Sequence, residues 1–377
     1  MAALSCCLAA VPAQGGEGQP EKGYQGHDSQ GQNPQGQDPQ GQDPQDEDLP
    51  AAVRAERCYQ LLLAEASRPE AMHVLWQLQR DALPVLSRAV RSKDLAVVQA
   101  ACAVLHEIGG VAAPVREILI RERRGSKGDR RLAYEWALHA IEARGFTFAT
   151  WNGELLFVDD DGEIARTLEG FASAWDVQTL PGARMLLTQV SKQGARELDG
   201  EGKERRAFGG DANTPLRGRR LWNGNTLISD SQKGLTEFDP TGKVVWRHET
   251  GANCMQRLFN GHTLFATGGG KLVEIDRDGK TVRSVDVPDQ IYGMRRLPDG
   301  NTLLATRAGD GVVLVGPEGK VIKQWQKLEN PSDAMLLEDG SILICGSAKA
   351  ALFDPDGKER WSFERQWVAG VCRGGVY

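Results

Sequence analysis

The sequence has few of the residues that build catalytic and metal sites. Its 377 residues include only six histidines and seven cysteines, and none of the GxSxG, HExxH, CxxC or phosphate-loop motifs occurs. Cleavage after Ala13 would leave five cysteines, an odd number without metal-ligand spacing. Export would permit one disulfide, but buried thiols are the expected form. These absences predict no catalytic residues and no metal site, and the chemistry of any site has to be sought in the fold.

An excess of positive charge is also missing. The formal net charge is −6, and it divides into −7 for residues 14–50, +4 for residues 51–145 and −3 for residues 146–377. A nearly neutral folded part argues against a nucleic-acid partner held through phosphate contacts. No apolar run approaches the ~20 residues of a bilayer-crossing helix, so no membrane span is expected.

The first fifty residues divide into two segments. Residues 1–13 are apolar or small, and Val11-Pro12-Ala13 fits a signal-peptide cleavage site, although a basic start is lacking. Residues 14–49 are rich in Gln, Gly, Pro and Asp and form a predicted disordered linker. We therefore expect a periplasmic or extracellular protein, or a cytoplasmic one if residues 1–13 are not a signal peptide.

Residues 50–145 change abruptly to Ala, Leu, Val and Arg, which predicts a short helical array. Asp81, Asp94 and Asp129 are predicted to precede helices, and Gly109 with Gly110 to end one. Early prolines in the first helix of each pair, and Ala-rich second helices, resemble HEAT-type repeats. The resemblance implies stacked helix pairs that lean on a neighbouring domain.

Residues 146–377 contain six copies of one unit of about forty residues. A turn usually followed by Lys recurs with its glycine at Gly162, Gly202, Gly242, Gly279, Gly319 and Gly357. A second hairpin turn recurs at Gly182, Gly224, Gly261, Gly300 and Gly340. Short β-rich runs between such turns, repeated at this period, predict a six-bladed β-propeller. The fold class is therefore mixed, with a helical array followed by an all-β propeller.

The two ends of this repeat region are complementary. The first unit begins at its second strand, near Phe146, and the last segment, around Val371, corresponds to the missing first strand. We predict that the C-terminal strand completes the first blade and closes the ring, which leaves no open sheet edge.

Two runs carry a family resemblance. FDPTGKVVW (238–246) and FDPDGKERW (353–361) resemble the outer-strand motif of quinoprotein-like (PQQ-like) propeller repeats. The resemblance implies that Trp246 and Trp361 pack between neighbouring blades. The motif here is one residue shorter than usual, six units replace eight blades, and the domain has no adjacent Cys pair. It therefore supports the fold and gives little support to quinone chemistry.

A polar ring is predicted at the propeller axis. The segments that enter the innermost strands carry Asp176, Asn213, Asn253, Gln290, Asn330 and Asp333. Six-bladed lactonase-like enzymes bind a metal at the axis through such residues, which makes this set the candidate ligand-binding site. The alternative is that these residues merely start turns and strands. No cofactor is predicted; calcium, for example at Asp159-Asp160-Asp161, and a quinone are the minor alternatives.

The expected function is therefore binding. An exported, non-catalytic repeat protein that holds a protein or polymer partner through its propeller, its helical array or both is the first hypothesis. The second hypothesis is an enzyme with a metal or small ligand at the axis, lactonase-like or sulfotransferase-like. A structural component of the envelope or matrix is the third.

Overall fold

The computed structural model describes residues 49–287, 290–307, 311–325 and 328–375. The predicted signal peptide and nearly all of the predicted linker lie outside these residues. A helical array followed by a six-bladed propeller makes up the described chain, which confirms the predicted fold class.

The helical array has six α-helices, joined in places by short 3₁₀ turns. They are α1 (Ala51–Leu63), α2 (Arg68–Leu78), α3 (Leu83–Ala89), α4 (Leu95–Ile108), α5 (Arg116–Arg124) and α6 (Gly128–Ile141). Asp94 caps α4 by accepting a hydrogen bond from the backbone N–H of Ala96 at 2.8 Å, as predicted. The chain leaves α4 at Gly109, whose φ of +66° favours glycine.

The predictions for the other two aspartates, Asp81 as a cap and Asp129 as a residue before a helix, are wrong. Asp81 lies inside a 3₁₀ turn, Gln79–Ala82, which runs directly into α3, so no extended residue is left to act as a cap. Asp129 lies in the first turn of α6, where its charge favours the helix dipole, and Lys127 occupies the capping position without a side-chain bond.

Helix α4 is the centre of the array. The run Leu95–Arg124 has the length and composition of a membrane-crossing helix, but it is divided by a 3₁₀ turn that contains Pro114. Val97, Val98 and Leu105 of α4 are fully buried against the neighbouring helices. Burial of each large apolar side chain stabilises the fold by ~1.5–3 kcal/mol. The apolar composition of α4 is therefore explained by its burial within the array.

The described residues of the propeller form twenty-four strands in six four-stranded antiparallel sheets. They are β1 (Phe146–Thr150), β2 (Leu155–Val158), β3 (Ile164–Leu168), β4 (Ala174–Leu180), β5 (Arg184–Gln189), β6 (Gly194–Leu198), β7 (Glu204–Gly209), β8 (Pro215–Arg220), β9 (Thr226–Asp230), β10 (Gly234–Phe238), β11 (Val244–His248), β12 (Cys254–Arg257), β13 (Thr263–Ala266), β14 (Lys271–Ile275), β15 (Thr281–Asp286), β16 (Ile291–Arg296), β17 (Thr302–Thr306), β18 (Val312–Val315), β19 (Val321–Trp325), β20 (Asp333–Leu336), β21 (Ile342–Cys345), β22 (Lys349–Phe353), β23 (Glu359–Glu364) and β24 (Val368–Arg373).

The ring closes through its last strand. Blade 1 has the strand order β24-β1-β2-β3, and blades 2 to 6 are β4–β7, β8–β11, β12–β15, β16–β19 and β20–β23. Strand β24 pairs with β1 in antiparallel register, with Phe146 opposite Arg373 and Phe148 opposite Val371. The predicted closure is confirmed, and β24 is the innermost strand of blade 1.

Neighbouring blades are joined at their outer turns. Trp246 Nε1 donates to the carbonyl oxygen of Arg277 at 2.8 Å, and Trp361 Nε1 donates to that of Asp160 at 3.1 Å. Arginines make the same kind of contact to the next blade elsewhere: Arg166 to Glu201, Arg206 to the Pro240 carbonyl and Arg283 to Glu318. Trp and Arg are therefore alternative donors at one position of the repeat.

The five described cysteines are free thiols, four of them buried and Cys372 partly buried. Burial raises the pKa of Cys58 to about 11 and that of Cys254 to about 12. These thiols are packing residues, as predicted.

Candidate functional site

The six innermost strands give the propeller two different ends. We call the end at which these strands begin the far face and the end at which they finish the covered face. The helical array lies on the covered face: Val111 N–H donates to Glu338 Oε1 at 3.0 Å, and His139 Nε2 lies 3.2 Å from Thr179 Oγ1. Trp136 and Phe259 add apolar contacts between array and propeller.

The propeller axis is filled by Arg217 of β8. Its Nη1 lies 3.1 Å from Asp176 Oδ1 and 3.1 Å from Asp333 Oδ2. Its Nη2 donates to the carbonyl oxygens of Tyr292 and Ser332, both at 2.8 Å. One guanidinium thus joins blades 2, 3, 5 and 6 at the centre of the ring. Gly370 of β24 leaves the space, since a Cβ there would lie 3.0 Å from Arg217 Nη1.

The ion pairs at the axis are buried and mutually dependent. The side chains of Arg217, Asp176 and Asp333 are 4%, 0% and 3% exposed. Burial disfavours the charged form of Asp333, but Arg217 and Arg295 hold the pKa of its carboxyl below the usual value. The carboxylates also accept backbone N–H groups of the next blade, from Gly218 and Val371. The two carboxylates therefore accept hydrogen bonds from backbone N–H groups of the innermost strands and also balance the charge of Arg217.

The predicted polar ring is thus only partly gathered. Asp176 and Asp333 meet at Arg217, and Asn253 is held nearby by a bond from its Nδ2 to the Ile291 carbonyl. Asn213 bonds instead to Gln232 of its own blade. The remaining two, Gln290 and Asn330, lie in the segments before β16 and β20, where Asn330 is exposed with φ +46°. Ligand binding by these six residues stays a prediction.

Next to Arg217, toward the far face, aromatic side chains cross the axis. The ring centroids of Trp151 and Trp175 are 5.8 Å apart, and those of Trp175 and Tyr292 are 5.9 Å apart. Arg307 Nη1 donates to Tyr292 Oη at 2.9 Å and its guanidinium lies 5.8 Å from the ring centroid. We call Trp151, Trp175, Tyr292 and Arg307 the aromatic row; all four are half-buried.

The aromatic row could not be found from repeat spacing. Trp175 and Tyr292 lie at the starts of the inner strands of blades 2 and 5, which are opposite one another in a six-membered ring. Trp151 and Arg307 lie between the second and third strands of blades 1 and 5. The available signal in the sequence was that aromatic residues stand at inner-strand starts in two units, whereas β8 has Leu216 and β24 has Ala369 at this position.

On the covered face, a cavity of about 1260 Å³ lies between the helical array and the inner-strand ends. Nine arginines and six carboxylates line it. The arginines are Arg144, Arg217, Arg219, Arg220, Arg257, Arg295, Arg296, Arg360 and Arg373, and the acids are Glu107, Asp160, Asp299, Asp333, Glu338 and Asp339. Its walls therefore combine apolar side chains with many charged ones, and the positive charges are in excess.

Most of these arginines are structural. Arg220, Arg257 and Arg296 occupy the same position of blades 3, 4 and 5, and each pairs with a glutamate of the preceding blade: Glu197, Glu237 and Glu274, at 2.8, 2.8 and 3.4 Å. Burial lowers the pKa of Arg257 to about 10 against the opposing effect of Glu237.

Two histidines of the array line the same cavity. The His106 and Trp136 rings stack with centroids 4.3 Å apart, and His106 Nδ1 lies 2.8 Å from the Trp136 carbonyl oxygen. Burial lowers the pKa of both His106 and His139 to about 4. They are neutral packing groups at neutral pH, and the described residues contain no cluster of three or more metal-ligating side chains.

The acidic turn considered for calcium has other partners. Asp159 Oδ1 accepts backbone N–H groups of Asp161 and Glu163, and Asp160 Oδ1 pairs with Arg373 of β24. Asp160 thus helps to hold the closing strand of the ring.

Comparisons with known proteins concern the fold alone. No family model and no curated protein matches the sequence. A crystal structure of a protein of unknown function from Bacteroides caccae is similar, with a TM-score of 0.53 and 16% identity over 61% of this chain and 98% of that chain. The WD40 β-propeller domain of Doa1 follows with a TM-score of 0.44 and 14% identity over 52% and 70%. A streptogramin B lyase has a TM-score of 0.41 and 12% identity over 59% and 73%. Likeness of this degree says nothing of activity.

Proposed function

We propose that the protein is a non-catalytic binding module that holds a polypeptide partner against the far face of its propeller. The aromatic row is the observation that carries this proposal. It lies on the axis, its side chains are half-buried, and it occupies the end of the ring opposite the helical array.

The chemistry of the row supports a protein partner. Trp, Tyr and Arg are the side chains that contribute most of the binding free energy in protein interfaces. Each member is already held by its neighbours, Trp151 and Tyr292 against Trp175 and Arg307 against Tyr292. Little side-chain entropy is therefore lost when a partner binds.

The axial network favours this proposal over an enzyme with an axial metal or small ligand. A lactonase-like or sulfotransferase-like site needs carboxylates that are free to bind. Here Asp176 and Asp333 both pair with Arg217, which supplies the positive charge between them. The quinoprotein-like and HEAT-like resemblances, and export directed by residues 1–13, remain part of the proposal as expectations.

The test measures binding to peptides and glycans arrayed side by side. We expect peptides to bind, and Trp151→Ala and Arg307→Ala each to weaken the selected peptide at least tenfold. Trp222→Ala is the matched control, since Trp222 is 44% exposed and lines the cavity of the covered face. Binding of glycans alone, or loss of peptide binding only with Trp222→Ala, would contradict the proposal.

A further inference from the structure

Two arginines of the covered face have N–H groups that donate no hydrogen bond to a described residue. Arg219 of β8 donates through Nη1 to Asp176 and the Gly218 carbonyl, and Arg295 of β16 donates through Nε and Nη2 to the carbonyls of Ala334 and Val371. Within the described part of the chain, Arg219 Nε and Nη2 and Arg295 Nη1 have no partner. Their side chains are 25% and 27% exposed, and both line the cavity.

Glu107 of α4 faces the same cavity. Glu107 is exposed where it lines the cavity, and no described residue donates a hydrogen bond to its carboxylate. The protein around the cavity raises the pKa of Glu107, and the charges of Arg219 and Arg295 oppose that rise. A carboxylate one residue from the C-terminal end of a helix is also disfavoured by the helix dipole. Helix stability therefore does not explain this residue.

We propose that the cavity binds a small molecule that carries carboxylate or phosphate groups. Arg219 and Arg295 bind these anionic groups, and the carboxylate of Glu107 competes with the molecule for the two arginines. Free guanidinium donors in a partly desolvated site recognise these oxyanions through charge-assisted hydrogen bonds. Trp222, 44% exposed on the cavity wall, offers a ring against which the body of the ligand can pack.

The volume is consistent with this ligand class. Small-molecule sites usually measure ~300–1,000 Å³, and the cavity of about 1260 Å³ leaves room for bridging water as well. Because the site lies on the covered face, it is independent of the proposed partner site on the far face.

The experiment is isothermal titration of the full chain with citrate and with pyrophosphate, against sodium chloride of equal ionic strength. We expect one of the two to bind saturably, which distinguishes a carboxylate from a phosphate ligand. Glu107→Gln should tighten that binding about tenfold, or ~1.4 kcal/mol, because it removes a competing negative charge. Arg295→Lys, which keeps the charge and loses the planar fork, should weaken binding.

Glu65→Gln is the matched control. Glu65 is exposed between α1 and α2, does not line the cavity, and gives the same change in net charge. Glu107→Gln removes no hydrogen bond to a described residue, so its folding is expected to be unimpaired and can be checked by its melting temperature. Absence of saturable binding to both the unmodified chain and Glu107→Gln would overturn the proposal, as would equal effects of Glu107→Gln and Glu65→Gln.

Discussion

Arg217 and Asp333 are separated by 116 positions in the chain, and their side chains lie 3.1 Å apart across the propeller axis. Blades 3 and 6, which carry them, are opposite in the ring, so this ion pair spans its centre. Asp176 binds the same guanidinium nitrogen from blade 2. A propeller of six similar blades is thus held at its axis by charged side chains that blades 2, 3 and 6 carry.

Arg217→Met is expected to destabilise the protein by about 3–5 kcal/mol, because Asp176 and Asp333 then stay buried without the guanidinium that bridges them and keep only Arg219 and Arg295 beside them. Urea denaturation measures this loss. The triple variant with Asp176→Asn and Asp333→Asn should recover part of it, since no buried carboxylate is then left without Arg217, while Arg219 and Arg295 are partly exposed to the cavity.

Arg205→Met is the control for the Arg217 experiment. Arg205 is 62% exposed and, among the described residues, pairs only with Asp199 at 3.2 Å, so its replacement should cost less than ~1 kcal/mol. Equal unfolding midpoints for Arg217→Met and Arg205→Met would contradict the assigned role of the axial network.

Strand β24 is expected to be essential for cooperative unfolding. Deletion of residues 366–377 removes the inner strand of blade 1 and exposes the edge of β1. We expect a broad, non-cooperative transition in denaturant and an increased tendency to aggregate. Deletion of residues 376–377 leaves β24 whole and is the control; a truncated chain that melts like this control would refute ring closure as the source of cooperativity.

The ion pair between Glu237 and Arg257 tests whether a charged contact between two blades can be replaced by an apolar one. Glu237 is fully buried and accepts from Arg257 at 2.8 Å, whereas Leu314 and Leu336 occupy the corresponding positions between blades 5 and 6. Glu237→Leu alone should cost about 3–5 kcal/mol because Arg257 loses its partner in a buried site.

The double variant Glu237→Leu with Arg257→Leu should lie within ~1–2 kcal/mol of the unmodified protein, since it copies the apolar interface found elsewhere in the ring. A double-mutant cycle in urea gives the coupling energy directly. Additive losses from the two substitutions would show that the pair contributes no coupling.

The repeat pattern predicted the architecture because its signal is local. Glycines at Gly162 and Gly202 mark turns whose positive φ is a property of the turn itself, and the missing first strand of blade 1 is visible from the alignment of the units. The Arg217 network and the aromatic row depend on which blades face each other across the axis. Blade spacing places Asp176 and Asp333 near the axis but does not reveal that an arginine of blade 3 lies between them.

The caps of the helical array show a similar limit. The residue type correctly predicted Asp94 as the N-cap of α4. The same prediction for Asp81 is wrong because a 3₁₀ turn leads into α3 without the extended residue that a cap requires. That turn packs Ala82 into the core, a tertiary effect that a local pattern does not contain.

A fall in pH should lower the free energy of unfolding through protonation of His106 and His139. Burial lowers the pKa of each to about 4, whereas an unfolded histidine titrates near ~6.5. Between these values the unfolded chain binds more protons than the folded one, so stability falls as pH falls. Each histidine should cost roughly 3 kcal/mol over the whole window. Urea midpoints at about pH 7 and about pH 5 measure the first part of this loss.

The variant with His106→Gln and His139→Gln should lose less stability over that interval than the unmodified protein. His262→Gln is the control with the opposite sign: a hydrogen bond to Glu274 raises the pKa of His262, so its contribution is present at low pH and lost as pH rises through the folded-state value. Its removal should steepen the loss in acid. If the double glutamine variant kept the full pH dependence, the two cavity histidines would not be its source.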